Sequence, residues 1–168
     1  MDLETINYLS QTVAAFGVII SIIYFARKLK QNTKASRIKA SHLTSKELRN
    51  SLGMVAKNNS LAEIFAKASI SEDLTNVEKL RWYTYIGSTM RIFENSYALM
   101  EKKDLSQDYW RGMEAMLIDI TKMKAFNLFW KDRKHLYSEI FRNYVENTIF
   151  KMQSPENISI PGNYNQID

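Results

Sequence analysis

The sequence predicts an all-α protein: one N-terminal transmembrane helix continuing into a juxtamembrane helix, then a small cytosolic helical bundle. Three observations predict it. Apolar residues recur at spacings of three and four along most of the chain, and no convincing period-two run occurs. Both prolines, Pro155 and Pro161, lie in the C-terminal tail, so residues 1–152 contain no helix breaker of that kind. The charge is divided unevenly: residues 1–26 carry −2, residues 27–50 carry +7, and residues 51–168 are neutral, for a net +5 over 168 residues. The expected organisation is an anchor over 1–29, a basic juxtamembrane helix over 30–57, a bundle over 58–152 and a flexible tail over 153–168. A chain with 45% hydrophobic residues is not disordered in bulk. The absence of cysteine excludes disulfides, thiolate metal sites and a cysteine nucleophile.

The anchor rests on the apolar run Val13–Ala26, which carries no charge. Extended to Leu9 and Leu29 it has 21 residues, or about 31 Å at the helical rise, matching a hydrocarbon core of about 30 Å. Tyr8, Ser10, Gln11 and Thr12 suit one interface, and Tyr24, Phe25 and Lys28 the other. An in-plane helix would need one polar face, which this run lacks. Asp2 and Glu4 make a poor signal-peptide start. The cations Arg27, Lys28, Lys30, Lys34, Arg37 and Lys39 follow the run directly. Juxtamembrane cations hold their side of a span in the cytoplasm and attract anionic headgroups, so the expected partners begin with membrane lipids and the expected place is a bacterial inner membrane with the N-terminus outside. Nucleic acid is the weaker reading, because no aromatic side chain interleaves these cations and residues 51–168 are neutral. Within the span, Ser10, Ala14, Gly17 and Ser21 make a small-residue stripe that lets helices approach, so self-association or a protein partner is expected.

Beyond the anchor, Ala35, Ile38, His42, Ser45, Leu48, Leu52 and Val55 form a thin stripe that ends at Lys57-Asn-Asn59. Ser60-Leu-Ala-Glu63 reads as a capping box ahead of Leu61, Ile64, Phe65 and Ala68. Thr75-Asn-Val-Glu78 reads as a second box, opening the longest soluble helix over about 76–103, with Val77, Leu80, Thr84, Gly87, Met90, Phe93, Tyr97 and Met100 as its stripe. Ser106 caps a helix bearing Trp110, Met113, Leu117 and Ile120. A helix over 124–134 presents Phe126, Phe129 and Trp130, and Ser138 caps the last, with Phe141, Val145, Ile149 and Met152.

The run Val13-Ala-Ala-Phe-Gly-Val-Ile-Ile-Ser-Ile-Ile-Tyr24 followed by Leu29-Lys-Gln-Asn-Thr-Lys34 resembles the opening of a group of uncharacterised bacterial membrane-anchored proteins. Arg91-Ile-Phe-Glu-Asn-Ser-Tyr97 and Phe129-Trp-Lys-Asp-Arg-Lys-His-Leu-Tyr137 also resemble segments of that group. The resemblance covers roughly residues 6–150, implies an anchor and a bundle, and implies no activity.

Catalytic chemistry is sparse. His42 and His135 are the only histidines. Asp132-x-x-His135 reads as a surface pair, and no Glu-x-x-His helix, phosphate loop or nucleophile elbow occurs. No catalytic residue, cofactor or metal is therefore expected. Arg91 and Glu94, spaced i, i+3 beside Phe93, are expected to form an ion pair that fixes helix register, or else to line a ligand site with Tyr97. The aromatics crowded at Trp82-Tyr83-Thr-Tyr85 span more than one helix face, so some are expected to face a partner, the membrane or water. The function expected is a non-catalytic membrane-anchored interaction module. The alternative is a membrane-anchored sensor holding a small ligand or lipid in the bundle.

Overall fold

A computed structural model describes the backbone of residues 2–152. Residues 1 and 153–168, and the side chains of residues 3, 5–10, 12, 13 and 15, lie outside the described residues; the tail expected over 153–168 and Ser10 of the small-residue stripe fall there. Among the described residues six α-helices follow in order: α1 (Leu3–Lys57), α2 (Asn59–Ile70), α3 (Asn76–Glu101), α4 (Gln107–Thr121), α5 (Lys124–Arg133) and α6 (Glu139–Tyr144). A 3₁₀ turn, Lys134–Leu136, precedes α6, and a π-helical turn, Val145–Ile149, continues it. Among the described residues there is no strand. The chain divides between Lys39 and Ala40 into two compact units.

In the N-terminal unit every described side chain from Phe16 to Lys39 is exposed. Phe16, Ile20, Phe25 and Leu29 each leave more than 60% of their surface open. The hydroxyls are satisfied within the helix: Ser21 Oγ donates to the Gly17 carbonyl at 2.8 Å and Thr33 Oγ1 to the Leu29 carbonyl at 3.0 Å. Among the described residues no helix is long and apolar enough to cross a membrane. The uncharged apolar run Val13–Ala26 has 14 residues, against the roughly 20 a span needs.

The second unit is the bundle, and the last part of α1 belongs to it. Thr44, Leu48 and Ser51 are buried there, while Leu52 is 45% exposed and Ile38 50% exposed. The inward stripe of α1 therefore runs through two hydroxyl residues that hydropathy ranks as surface. Ser51 is held there by two bonds: Ser51 Oγ and Thr89 Oγ1 are 2.8 Å apart, and Tyr85 donates to the Ser51 carbonyl at 3.1 Å.

The start of α2 departs from the expected box. Asn58 is the cap, its side chain accepting from the Leu61 N–H at 3.0 Å, and Ser60 accepts from Arg81 on α3 instead. The box of α3 forms as read: the Thr75 N–H donates to Glu78 Oε2 at 2.7 Å, and the Glu78 N–H to Thr75 Oγ1 at 3.3 Å. Lys67 joins Glu78 at 2.8 Å. That hydrogen bond and the two from Thr75 hold the Glu78 carboxyl at about 2, well below its ordinary 4.5.

The seam of α3 is rotated from the expected stripe. Val77 and Leu80 are 68% and 67% exposed, and the buried residues are Trp82, Tyr85, Ile86, Thr89, Met90, Phe93, Glu94 and Ser96. Val77 and Leu80 lie on the outward face of α3, which continues through Thr84, Ser88, Arg91 and Asn95, so they stay wet. The aromatic crowding resolves inward as well. Trp82 is fully buried against Phe65, Tyr85 is 6% exposed, and Tyr83 lies edge-on to Phe129. In the bundle, no exposed large hydrophobic residue is aromatic among the described residues. α3 ends in a Schellman turn: the Lys103 N–H reaches the Met100 carbonyl and the Asp104 N–H the Leu99 carbonyl. Lys103 takes the left-handed conformation there, at φ 61°.

Ser106 and Ser138 cap α4 and α6 as read, accepting from Tyr109 and Phe141. Trp110, Met113 and Leu117 of α4, Phe126, Phe129 and Trp130 of α5, and Phe141, Val145 and Ile149 after Ser138 are buried in one core. Met152 is 46% exposed, because the helix changes pitch through the π and 3₁₀ turns before reaching it.

Candidate functional site

Arg91 and Glu94 stand on one side of α3, and both reach the connection between α5 and α6. They form an ion pair. Arg91 Nη2 also donates to the Leu136 carbonyl at 3.0 Å, and its guanidinium lies 4.9 Å over the Tyr137 ring. Glu94 Oε1 accepts from the Ser138 N–H at 2.7 Å. Ser138 is the cap of α6, so the carboxylate sits at a helix start, where the dipole favours negative charge. Tyr137 donates to the Gly87 carbonyl at 3.2 Å. Burial pushes its hydroxyl up to about 12, Arg91 opposing and Glu94 adding.

Earlier along α3, Tyr83 donates to Asp132 Oδ2 at 2.8 Å and Lys79 pairs with the same oxygen at 3.4 Å. Burial, then the Asp132 hydrogen bond, raise the Tyr83 hydroxyl, and that same bond is the main cause of a lowered Asp132 carboxyl. Residues 132–138 thus form a strap running along α3, fastened near Tyr83, Gly87 and Arg91–Glu94. Asp132 serves this strap through Tyr83 and Lys79, while His135 and His42 are exposed.

Tyr97 takes no part in the clasp. It stacks on Tyr144 with ring centroids 4.2 Å apart and touches Trp110 and Phe141. Trp110 Nε1 donates to the Tyr144 hydroxyl at 3.3 Å, and that hydroxyl donates to Glu114. Burial and then Glu101 raise the Tyr97 hydroxyl; burial and then the Glu114 bond raise that of Tyr144. Around α5, Glu146 in the π turn accepts from Trp130 Nε1 at 3.2 Å and from Lys134 at 2.7 Å.

A shallow open groove of about 580 Å³ lies between the C-terminal part of α1 and α3. Glu47, Asn50, Ser51 and Met54 line one wall, and Gly87, Ser88, Arg91, Ile92 and Asn95 the other. Of the Arg91–Glu94 pair, Arg91 also lines the groove, as does Gly87, which accepts from Tyr137. The sequence singled out Arg91 and Glu94 but not their partners Leu136, Tyr137 and Ser138, which are more than 40 residues away, nor the α1 wall. Nothing in local spacing marks contacts at that separation.

The small residues Ala14, Gly17 and Ser21 lie on exposed α1, and a Cβ built on Gly17 meets nothing within 4 Å. Arg27, Lys28, Lys30, Lys34, Arg37 and Lys39 are all exposed on the same unit. Among the described residues no three His, Cys, Asp or Glu side chains cluster to hold a metal ion. Comparison with family models, curated proteins and solved structures finds no match to this chain.

Proposed function

We propose that the chain is a membrane-anchored interaction module: its N-terminal helix spans a bacterial inner membrane once and holds the bundle at the cytoplasmic face. The observation that supports this most is the exposure of Phe16, Val18, Ile19, Ile20, Ile22, Ile23, Phe25 and Leu29 all round one helix. Aliphatic side chains on every face of an exposed helix need lipid or other helices around them. Six cations follow immediately on the same unit, with no carboxylate between Glu4 and Glu47, the pattern that orients a span and binds anionic headgroups. The reading is non-catalytic. Thr75, Ser106 and Ser138 serve as caps, Tyr83, Asp132 and Glu94 hold the strap, and Trp110, Tyr144 and Glu114 form one hydrogen-bonded chain.

The chain has no cysteine, so single-cysteine variants report topology directly. In spheroplasts, a membrane-impermeant maleimide is expected to label Glu4→Cys at once and Asn32→Cys only after lysis, with both variants resisting carbonate extraction. Release by carbonate refutes the anchor. Protection of both positions until lysis in a carbonate-resistant chain refutes the span in favour of an in-plane helix.

The groove favours a second reading, a sensor with Arg91 at its site. Its shallowness and its mixed polar lining argue for a macromolecular surface over an enclosed ligand.

A further inference from the structure

We propose that the groove between α1 and α3 is where a second copy of this chain docks, about a two-fold axis. This rests on reading the chain as an interaction module, and it names the partner and the surface. The first ground is the charge on the two walls. The α1 wall carries Glu47 and the α3 wall Arg91. A two-fold axis exchanges the walls, so Glu47 of each copy meets Arg91 of the other, and one surface complements itself. Arg91 has capacity for this. Its side chain is 49% exposed, and its bonds to Glu94 and Leu136 engage two of its five N–H donors.

The second ground is shape. Ser51, Gly87 and Ser88 keep the groove's sides low, so a helix wall can enter. Two exposed rows border it, Leu43, Glu47, Asn50 and Met54 on α1, and Thr84, Ser88, Arg91 and Asn95 on α3, both spaced four, three, four. That spacing is the seam of a helix packing against helices. Met54, 50% exposed, and Ile92, partly buried, supply apolar contact, while Asn50 and Asn95 supply paired amides, which set register in such seams.

The third ground is elimination within the bundle. Its aromatic residues are buried or half-buried in the core or the strap, so an aromatic face does not compete for the partner. Ile70, Val77, Leu80 and Ile140 are exposed but do not line this groove.

The full chain in detergent or nanodiscs tests this by light scattering and cysteine cross-linking. The expected result is a dimer in which chains carrying Asn50→Cys, mixed with chains carrying Asn95→Cys, form an intermolecular disulfide, while mixing either with the exposed control Ala115→Cys gives none. Glu47→Lys and Ser88→Trp change exposed positions, so they are expected to leave the melting temperature unchanged while weakening the dimer about tenfold or more. A monomer at the highest attainable concentration overturns the proposal. So does a dimer that ignores both substitutions and fails to cross-link Asn50→Cys to Asn95→Cys, which assigns association to another surface such as the Ala14–Gly17–Ser21 stripe. A monomer that still captures a different protein in membranes overturns this inference and leaves the interaction reading standing. A carbonate-soluble dimer does the reverse for the anchor.

Discussion

Replacing Glu94 by glutamine tests whether the clasp on α3 holds the bundle together. The carboxylate is 8% exposed and accepts from the Ser138 N–H while pairing with Arg91. Glutamine keeps the shape and one acceptor oxygen but removes the charge. What is lost is charge assistance to the Ser138 bond plus the ion pair with a half-exposed arginine. An exposed pair is worth about 0–1 kcal/mol, and a bond to a charged group exceeds a neutral one by roughly 1 kcal/mol. The expected destabilisation is therefore about 1–2 kcal/mol, or a fall of roughly 3–8 °C in melting temperature for a unit of this size. Glu94→Ala also strands the Ser138 N–H at the start of α6 and opens space beside it, and is expected to cost about 2–4 kcal/mol. Thermal and urea unfolding followed by circular dichroism at a helix wavelength measures both. The ordering matters more than either value: alanine must exceed glutamine, and Arg91→Ala must cost less than Glu94→Ala because Arg91 is the half-exposed partner. A Glu94→Gln variant with wild-type stability that loses a measured binding would refute the structural account and make the pair a ligand site.

Lys103→Gly is expected to stabilise by about 0.5–1 kcal/mol, since glycine takes the left-handed position without the Cβ penalty; a loss of stability in urea titration would mean the turn is not formed. For Glu78 the folded pKa is depressed, so its contribution is present above the ordinary value of 4.5 and is lost as pH falls toward about 2. Glu78→Gln is accordingly expected to flatten the stability–pH curve between those values, and an unchanged slope counts against the Thr75 box. Val77→Lys and Leu80→Lys, on exposed positions, are expected to change stability by less than about 0.5 kcal/mol, whereas Ile86→Ala is expected to cost about 2–5 kcal/mol; comparable losses at all three would return the seam of α3 to the 77–80–84 face. Above pH 10, spectrophotometric titration is expected to show Tyr137 ionising late, near 12, with the neutral-form stability it contributes falling as pH rises through that range.

The helices were legible because their signals are local. Thr75 and Glu78, or Ser106 and Ser138, lie within one turn of the groups they cap, so residue type and spacing suffice. The rotation of a helix about its axis is another matter. Val77 and Leu80 are as apolar as Ile86, and only the position of α2 and α5 decides which of them is covered. Ser51 falls outside the α1 stripe read from hydropathy for the converse reason: a hydroxyl is polar by composition but goes inside when a partner such as Thr89 receives it. Asn58 displaced Ser60 as the cap because Ser60 found Arg81, 21 residues on. From the sequence the aromatic cluster at Trp82–Tyr85 reads as partly outward-facing, because neither its partner Phe65 nor Asp132 is its sequence neighbour.

By itself the sequence determined the helical class, where α3, α4 and α6 begin, the concentration of cation after one apolar run, and the pairing of Arg91 with Glu94, because each follows from composition or from contacts within a turn. The tertiary structure alone decided that the pair clasps Leu136 and Ser138, that Tyr97 belongs to a separate aromatic stack, and that Glu47 and Arg91 face one groove. Those depend on which helix surfaces meet, and that is fixed by the packing of the whole core, which no short window of sequence contains.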